Sequence, residues 1–213
     1  MVKLVIFDLD GTLLDSFESI IKSFEMATKT FGVDIDLNVV KDNIGIPSKE
    51  ILRRALRVKV SEQLIKEIST LRRKLHDELV MNAKLFDDAL PTLTELKRRG
   101  LKLALVSSNV KYRLKAILEK NKLTHLFDSV VSYEDVKRPK PHPDMVLKAL
   151  EEVGVKAEEA ILVGDSINDV MSAKSAGVIA VLIDRFGIKK NIGEDFRVTS
   201  LKELFKLIEE LDC

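Results

Sequence analysis

The apolar run Leu4-Val5-Ile6 ends in Phe7-Asp8-Leu9-Asp10-Gly11-Thr12. A buried strand that finishes on two carboxylates is poor packing chemistry, because an unpaired buried carboxylate is costly. The pair must be solvated, paired or bound to a metal. Residues two apart in a strand face the same way, so Asp8 and Asp10 can converge on one ligand. Gly11 lets the backbone turn sharply behind them, and Thr12 can hydrogen-bond the turn. Three further clusters follow apolar runs. Ser107-Ser108-Asn109 closes the run from Leu101, and its hydroxyl and backbone amides suit a phosphate oxygen. Lys137-Arg138-Pro139-Lys140-Pro141-His142-Pro143 follows Val130-Val131, and a lysine held between prolines loses less entropy on ordering. Gly164-Asp165-Ser166-Ile167-Asn168-Asp169 follows Ile161-Leu162-Val163 and brings two more acids to a strand-to-helix turn. Each cluster alone has an ordinary reading as a loop, a solvated basic stretch or a helix cap. Their common position after strands is what argues for a shared site.

The elements that must carry these residues fall into two regions. From residue 15 to about 82 the pattern is helical, with Phe17, Ile20, Ile21, Phe24, Ala27 and Phe31 at helical spacing. Asp15 with Glu18 is expected to cap that helix and Gly32 to end it. A short helix over Leu37 to Asp42 leads to the turn Gly45-Ile46-Pro47. Ser48 is expected to cap a helix through Leu56, and a long stripe from Leu64 to Leu79 stands behind Ser61. No convincing strand shows in this block. From about residue 90, helices alternate with the strands 101–107, 130–131, 161–163 and 179–183, and a last helix covers about 201–211. Apolar strands alternating with helices predict an α/β fold, a Rossmann-like parallel sheet covered by helices on both faces. The first strand belongs to that sheet. The expected organisation is therefore a core of residues 1–14 and 83–213 with an all-helical cap domain, 15–82, inserted after the first strand. Ligands of such sheets bind beyond the carboxyl ends of the strands, where every cluster above lies.

Composition narrows the partners. The 213 residues are 46% hydrophobic and carry 35 Lys+Arg against 34 Asp+Glu, a net charge of +1, so no global field favours nucleic acid. A basic, aromatic-interleaved surface for nucleic acid is also lacking. The single cysteine, Cys213, excludes an intrachain disulfide, and three dispersed histidines do not make a His-based metal site. With no signal-peptide pattern and no long apolar run, a cytoplasmic chain without membrane contact is expected. Monomer and homodimer stay open.

Asp8-Leu9-Asp10-Gly11-Thr12, the Ser107 strand end, Lys140 in Lys-Pro-His-Pro and Gly164-Asp165-Ser166-Ile167-Asn168-Asp169 resemble, in order, the four motifs of the haloacid dehalogenase superfamily, the aspartate-nucleophile phosphatases. The helical insert resembles a C1-type cap, as in phosphoglycolate-phosphatase-like members. One departure stands out. Relatives often carry Pro-Gly where this chain has Asp87-Asp88, and that change is expected to touch the cap hinge rather than the chemistry.

The resemblance implies a mechanism. Asp8 is the nucleophile and forms an aspartyl phosphate. Asp10 protonates the leaving oxygen and then deprotonates water. Lys140 neutralises the phosphoryl group and Asp8. Ser107 and the amides of Leu9 and Ser108 bind phosphoryl oxygens. Four acids beside a phosphate dianion repel by roughly 4 kcal/mol per pair at about 4 Å and an effective dielectric near 20, more than one lysine offsets. Mg²⁺ is therefore the expected cofactor, held by the Asp8 and Asp165 carboxylates and the Asp10 carbonyl, with Asp169 in the outer shell. The expected activity is hydrolysis of a small phosphorylated metabolite, with a lean to phosphoglycolate, and with Lys49 or Arg53 in the cap as candidates for a substrate anion. A sugar-phosphate mutase similar to β-phosphoglucomutase uses the same core residues, and the sequence leaves it open. A 2-haloacid dehalogenase fits less well, since members with that activity lack the acid that stands here as Asp10. A catalytically silent binding module on this fold would have no need of the intact set.

Overall fold

A computed structural model describes residues 1–44, 46–185 and 191–212. Gly45 of the expected cap turn and the terminal Cys213 lie outside the described residues. The chain divides into two compact units, Met1–Leu14 with Leu85–Cys213, and Asp15–Lys84.

The first unit opens with β1 (Leu4–Phe7), whose four side chains are all fully buried. Burial on both faces is what an interior parallel strand requires. The chain leaves along β2 (Leu14–Asp15) and returns along β3 (Lys84–Leu85), a two-residue ribbon with too little sequence to show a pattern. There follow α5 (Ala89–Arg98), β4 (Lys102–Ser107), α6 (Lys111–Lys120), β5 (Ser129–Ser132), α7 (Asp144–Val153), β6 (Ala160–Gly164), α8 (Ile167–Ser175), β7 (Ile179–Ile183), β8 (Phe196–Val198) and α9 (Leu204–Leu211). Six of these strands form a parallel sheet in the order β5-β4-β1-β6-β7-β8. Phe7 is level with Leu105 on one side and Val163 on the other. On one face, Leu4, Ile6, Val106 and Leu162 pack under Met145 of α7 and Val170 of α8. Helix α5 packs on β4 with Leu93 and Leu96 buried.

Most boundaries follow the sequence pattern, and the exceptions have local causes. Helix α5 starts at Ala89 and carries Pro91 in its first turn, where the missing N–H forfeits no intrahelical hydrogen bond. β8 was not expected: it is an edge strand in which only Val198 is buried.

The second unit is helical, with α1 (Phe17–Thr30), α2 (Leu37–Asp42), α3 (Ser48–Ala55) and α4 (Glu62–Leu79). Its core holds Phe24, Ala27, Val40, Leu52, Ile65 and Ile68. Ser61 caps α4 by accepting from Leu64 N at 3.2 Å. The other expected caps differ. Ser16, not Asp15, precedes α1 and makes no side-chain cap bond. Ser48 is already helical, and its hydroxyl meets Ser69 at 3.1 Å. Lys49 is exposed, and Arg53 is taken up by Glu62, at 3.1 and 2.8 Å, and by Glu50 at 3.3 Å. No helix of the described residues is long and apolar enough to cross a membrane.

Candidate active site

Asp8 follows β1 directly, Ser107 ends β4, and Asp165 follows β6. Since β1 lies between β4 and β6, the three reach the same edge of the sheet. Crossovers to both sides of one central strand open a crevice there. Lys140 comes in from the loop before α7. Its ammonium lies 2.6 Å from Asp8 Oδ1, 2.6 Å from Asp169 Oδ1 and 3.2 Å from the Val106 carbonyl. The three ammonium protons thus meet three acceptors, and the side chain is only 3% exposed. Lys137 and Arg138, its basic neighbours in sequence, do not share this place; Arg138 pairs with Asp144 on the surface.

Carboxylate oxygens of Asp8, Asp165 and Asp169 lie within 4.8 Å of one another. Two glycines make that approach possible. A Cβ on Gly11, whose φ is +76°, would stand 2.6 Å from Asp165 Cγ. A Cβ on Gly164 would stand 2.4 Å from Asp169 Cβ and Cγ. Asp169 is fixed further by a capping box, accepting from Ser166 N at 3.1 Å and Ser166 Oγ at 2.5 Å.

Three carboxylates against one ammonium leave the cluster short of positive charge. Burial pushes the Asp8 carboxyl well above the ordinary carboxylate value. Lys140 opposes that push, while Asp169, Asp165 and Asp10 add to it. Burial works to lower Lys140, but Asp169 and Asp8 outweigh it and hold the ammonium's proton above the ordinary lysine value. Hard oxygen donors with surplus negative charge fit a divalent cation.

Asp10 stands apart from that cluster. Its Oδ2 accepts from Asn109 Nδ2 at 2.6 Å, and its Oδ1 is buried with no hydrogen-bond partner among the described residues. Asn109 also donates to Ser107 Oγ through Nδ2 at 3.0 Å and through its backbone N–H at 3.2 Å. Arg113, in the first turn of α6, donates to Asn109 Oδ1 at 2.7 Å. With both contacts accepted at its oxygen, the Ser107 hydroxyl keeps its own proton to donate. Ser108 is exposed beside it. The Leu9 carbonyl is the hub of the turn, accepting from the N–H groups of Thr12, Leu13 and Leu14. The Thr12 hydroxyl, expected to bond the turn, is buried without a partner among the described residues. Asn109 and Arg113 received no role from sequence reasoning. Asn109 was visible beside Ser107, but its line to Asp10 spans 99 residues.

A family model of haloacid dehalogenase-like hydrolases matches residues 5–183 of the chain. That span takes in every motif residue above. The chain belongs to the haloacid dehalogenase-like hydrolases. It is 35% identical over 180 residues to pyrophosphatase PpaX of Bacillus cereus strain B4264, covering 83% of this chain and 80% of that protein. A predicted phosphoglycolate phosphatase from Haemophilus somnus 129pt superposes with a TM-score of 0.79 at 25% identity, covering 97% of this chain and 98% of that one. CbbY from Rhodobacter sphaeroides, in complex with phosphate, superposes with a TM-score of 0.72 at 26% identity, covering 96% of both chains. The chain is an enzyme, a phosphatase of the haloacid dehalogenase-like family.

Proposed function

We propose that this phosphatase is Mg²⁺-dependent, acts on a small phosphorylated compound and passes through a phosphorylated Asp8. The observation that carries the reading is Lys140, fully engaged between Asp8 and Asp169 within an acid cluster that one ammonium does not neutralise. Asp8 and Asp165, with the Asp10 carbonyl, would hold the ion, and Asp169 would serve from the outer shell. Bound there, Mg²⁺ supplies the charge that lets a carboxylate approach a phosphate dianion.

The chain's own residues do the rest. An oxygen of Asp8 forms a bond to phosphorus as the bond to the leaving oxygen breaks. Asp10, through the unpartnered Oδ1, gives that oxygen a proton. A water then attacks phosphorus, Asp10 takes its proton, and Asp8 is freed as phosphate departs. Ser107 and the N–H groups of Leu9 and Ser108 stabilise the phosphoryl oxygens. The helical unit Asp15–Lys84 acts as the cap, a role resting on its place in the chain between the Asp8 and Ser107 motifs.

Inorganic pyrophosphate is the proposed substrate, supported by the 35% identity to a pyrophosphatase. Phosphoglycolate is the second reading, favoured by the 25%-identical structure. Phosphate release from pyrophosphate, phosphoglycolate, hexose phosphates, nucleoside monophosphates and a phosphopeptide, with Mg²⁺ and with a chelator, tests both. The highest kcat/KM is expected for pyrophosphate and none of the activity should survive chelation. Interconversion of hexose phosphate isomers, primed by hexose bisphosphate and without net phosphate release, would point to mutase chemistry. A preference for the phosphopeptide would overturn the small-substrate reading.

A further inference from the structure

Arg185 lies two residues beyond β7, and its side chain is 10% exposed. Its guanidinium stacks on Phe86, with Cζ 3.6 Å from the ring centre. Nη1 donates to Asp88 Oδ2 at 3.1 Å, and Nη2 is 3.1 Å from Asp88 Oδ1. Asp88 precedes α5 but makes no cap bond to it. Its Oδ2 instead also accepts from Ser200 Oγ at 2.8 Å and Leu201 N at 2.9 Å. The acid expected to touch the cap hinge thus joins one arginine to the Ser200–Leu201 turn. Buried ion pairs are poor stabilisers compared with apolar groups of the same size, so the use of this pair lies in what else Arg185 holds. Nη2 also donates to the Thr12 carbonyl at 2.5 Å.

Thr12 sits in the tight turn wound on the Leu9 carbonyl, and Asp10 is in the same turn, two residues earlier. A turn this short cannot shift at Thr12 without moving Asp10. Among the described residues, the Asp10 side chain has one tether, Asn109, and one buried oxygen without a partner. We infer that Arg185 is a positioning residue for proton transfer: it anchors the Thr12 carbonyl, and so aims Asp10 Oδ1 at the leaving oxygen, while Asp88 holds its guanidinium in place. This inference rests on the reading of Asp10 as the proton donor. Lysine could not replace Arg185 in full, because a point ammonium cannot donate to Asp88 Oδ2 from one nitrogen and to the Thr12 carbonyl from another while stacking on Phe86.

The test uses the full chain with Mg²⁺, as Arg185→Met, Arg185→Lys and Arg185→Met combined with Asp88→Asn. The double variant removes the charge that Arg185→Met alone would leave buried and unpaired. Single-turnover rates are measured on an alkyl phosphate, whose leaving oxygen needs a proton, and on p-nitrophenyl phosphate, whose leaving group does not. A misplaced catalytic group costs on the order of 10²-fold, and that loss is expected on the alkyl phosphate for both Met variants. Much less should be lost on p-nitrophenyl phosphate, KM should hardly change, and Arg185→Lys should fall between. Wild-type rates in the double variant would reduce Arg185 to a structural partner of Asp88. Equal loss on both esters would likewise overturn the inference. Amide hydrogen exchange over residues 9–14 needs no turnover and should quicken in both Met variants; unchanged exchange would remove the tie to Thr12. A wild-type protein that released phosphate from neither ester would count against the proposed activity on phosphate esters, with the exchange result still judging the tie.

Discussion

Replacing Lys140 by methionine keeps most of the side-chain volume and removes the only ammonium seen in contact with the acid cluster among the described residues. The structure sets the scale. Each of its two carboxylate contacts is 2.6 Å long, worth about 6 kcal/mol of gross attraction at an effective dielectric near 20. Desolvation of the buried ammonium consumes several kcal/mol of the total, and removing one partner of a buried pair typically costs about 3–5 kcal/mol net. That is a large part of the roughly 5–15 kcal/mol that stabilises an ordinary domain. Lys140→Met should therefore fold but lose most of its margin, and turnover should vanish. Urea unfolding near neutral pH in chelator measures the loss. Adding Mg²⁺ should restore more stability to the variant than to the wild type, because the ion meets carboxylates that no longer have an ammonium. Lys140→Met combined with Asp169→Asn should regain part of the loss for the same reason. Equal stability of Lys140→Met and wild type in chelator would refute the claim that this ammonium holds the acids together.

Other substitutions separate the remaining roles. Gly11→Ala must place a Cβ on a left-handed backbone and 2.6 Å from Asp165 Cγ, a conformation that alone costs about 1–2 kcal/mol; Mg²⁺ titration should show weaker binding, and unchanged affinity would free Asp165 from the metal. Asp165→Ala should weaken Mg²⁺ binding more than Asp169→Ala, whereas Asp169→Ala should lose more thermal stability, since it strips both Lys140 and the α8 cap; a reversed order would exchange the two assignments. Asn109→Ala removes the donor to Asp10, and a misplaced catalytic group costs on the order of 10²-fold, so kcat on alkyl phosphates should fall about 10–10²-fold while p-nitrophenyl phosphate loses less. Burial alone would raise the Asp88 carboxyl, but Arg185, Leu201 N–H and Ser200 outweigh it and hold its pKa below 3.8. The folded state then binds fewer protons than the unfolded chain near that value. The stability from Asp88 is complete above pH 3.8 and is lost as pH falls through the lower folded pKa. The stability difference between wild type and Asp88→Asn should shrink over that window, and a difference independent of pH would contradict the assignment.

The parallel sheet was legible because its inner strands are short apolar runs stopped by Gly, Ser or Asp, and both faces of each must be covered. β8 was not, because Phe196 and Arg197 are exposed and only Val198 turns inward. The candidate site was legible for a related reason. Asp8, Ser107 and Asp165 each stand at the end of a recognisable strand, so sequence order alone brings them to one edge. Lys140 could be chosen over Lys137 and Arg138 only by motif register. The Asn109–Asp10 and Arg185–Thr12 bonds depend on which loops meet in three dimensions. Asp88 shows the limit most clearly. Its departure from Pro-Gly was visible, but its partners Arg185, Ser200 and Leu201 lie about a hundred residues away, and no local pattern names them.

The central claim is that Asp8 attacks phosphorus, and trapping the covalent enzyme tests it most directly. Wild type should be mixed with substrate and Mg²⁺, quenched in acid within a turnover, reduced with borohydride and mapped by peptide mass. A phosphorylated Asp8 should be reduced to homoserine at that position, and Asp8→Asn should yield none. Turnover without any trapped species, coupled with inversion at a chiral phosphorus, would mean direct attack by water, and a phosphoryl group recovered on another residue would move the nucleophile away from Asp8.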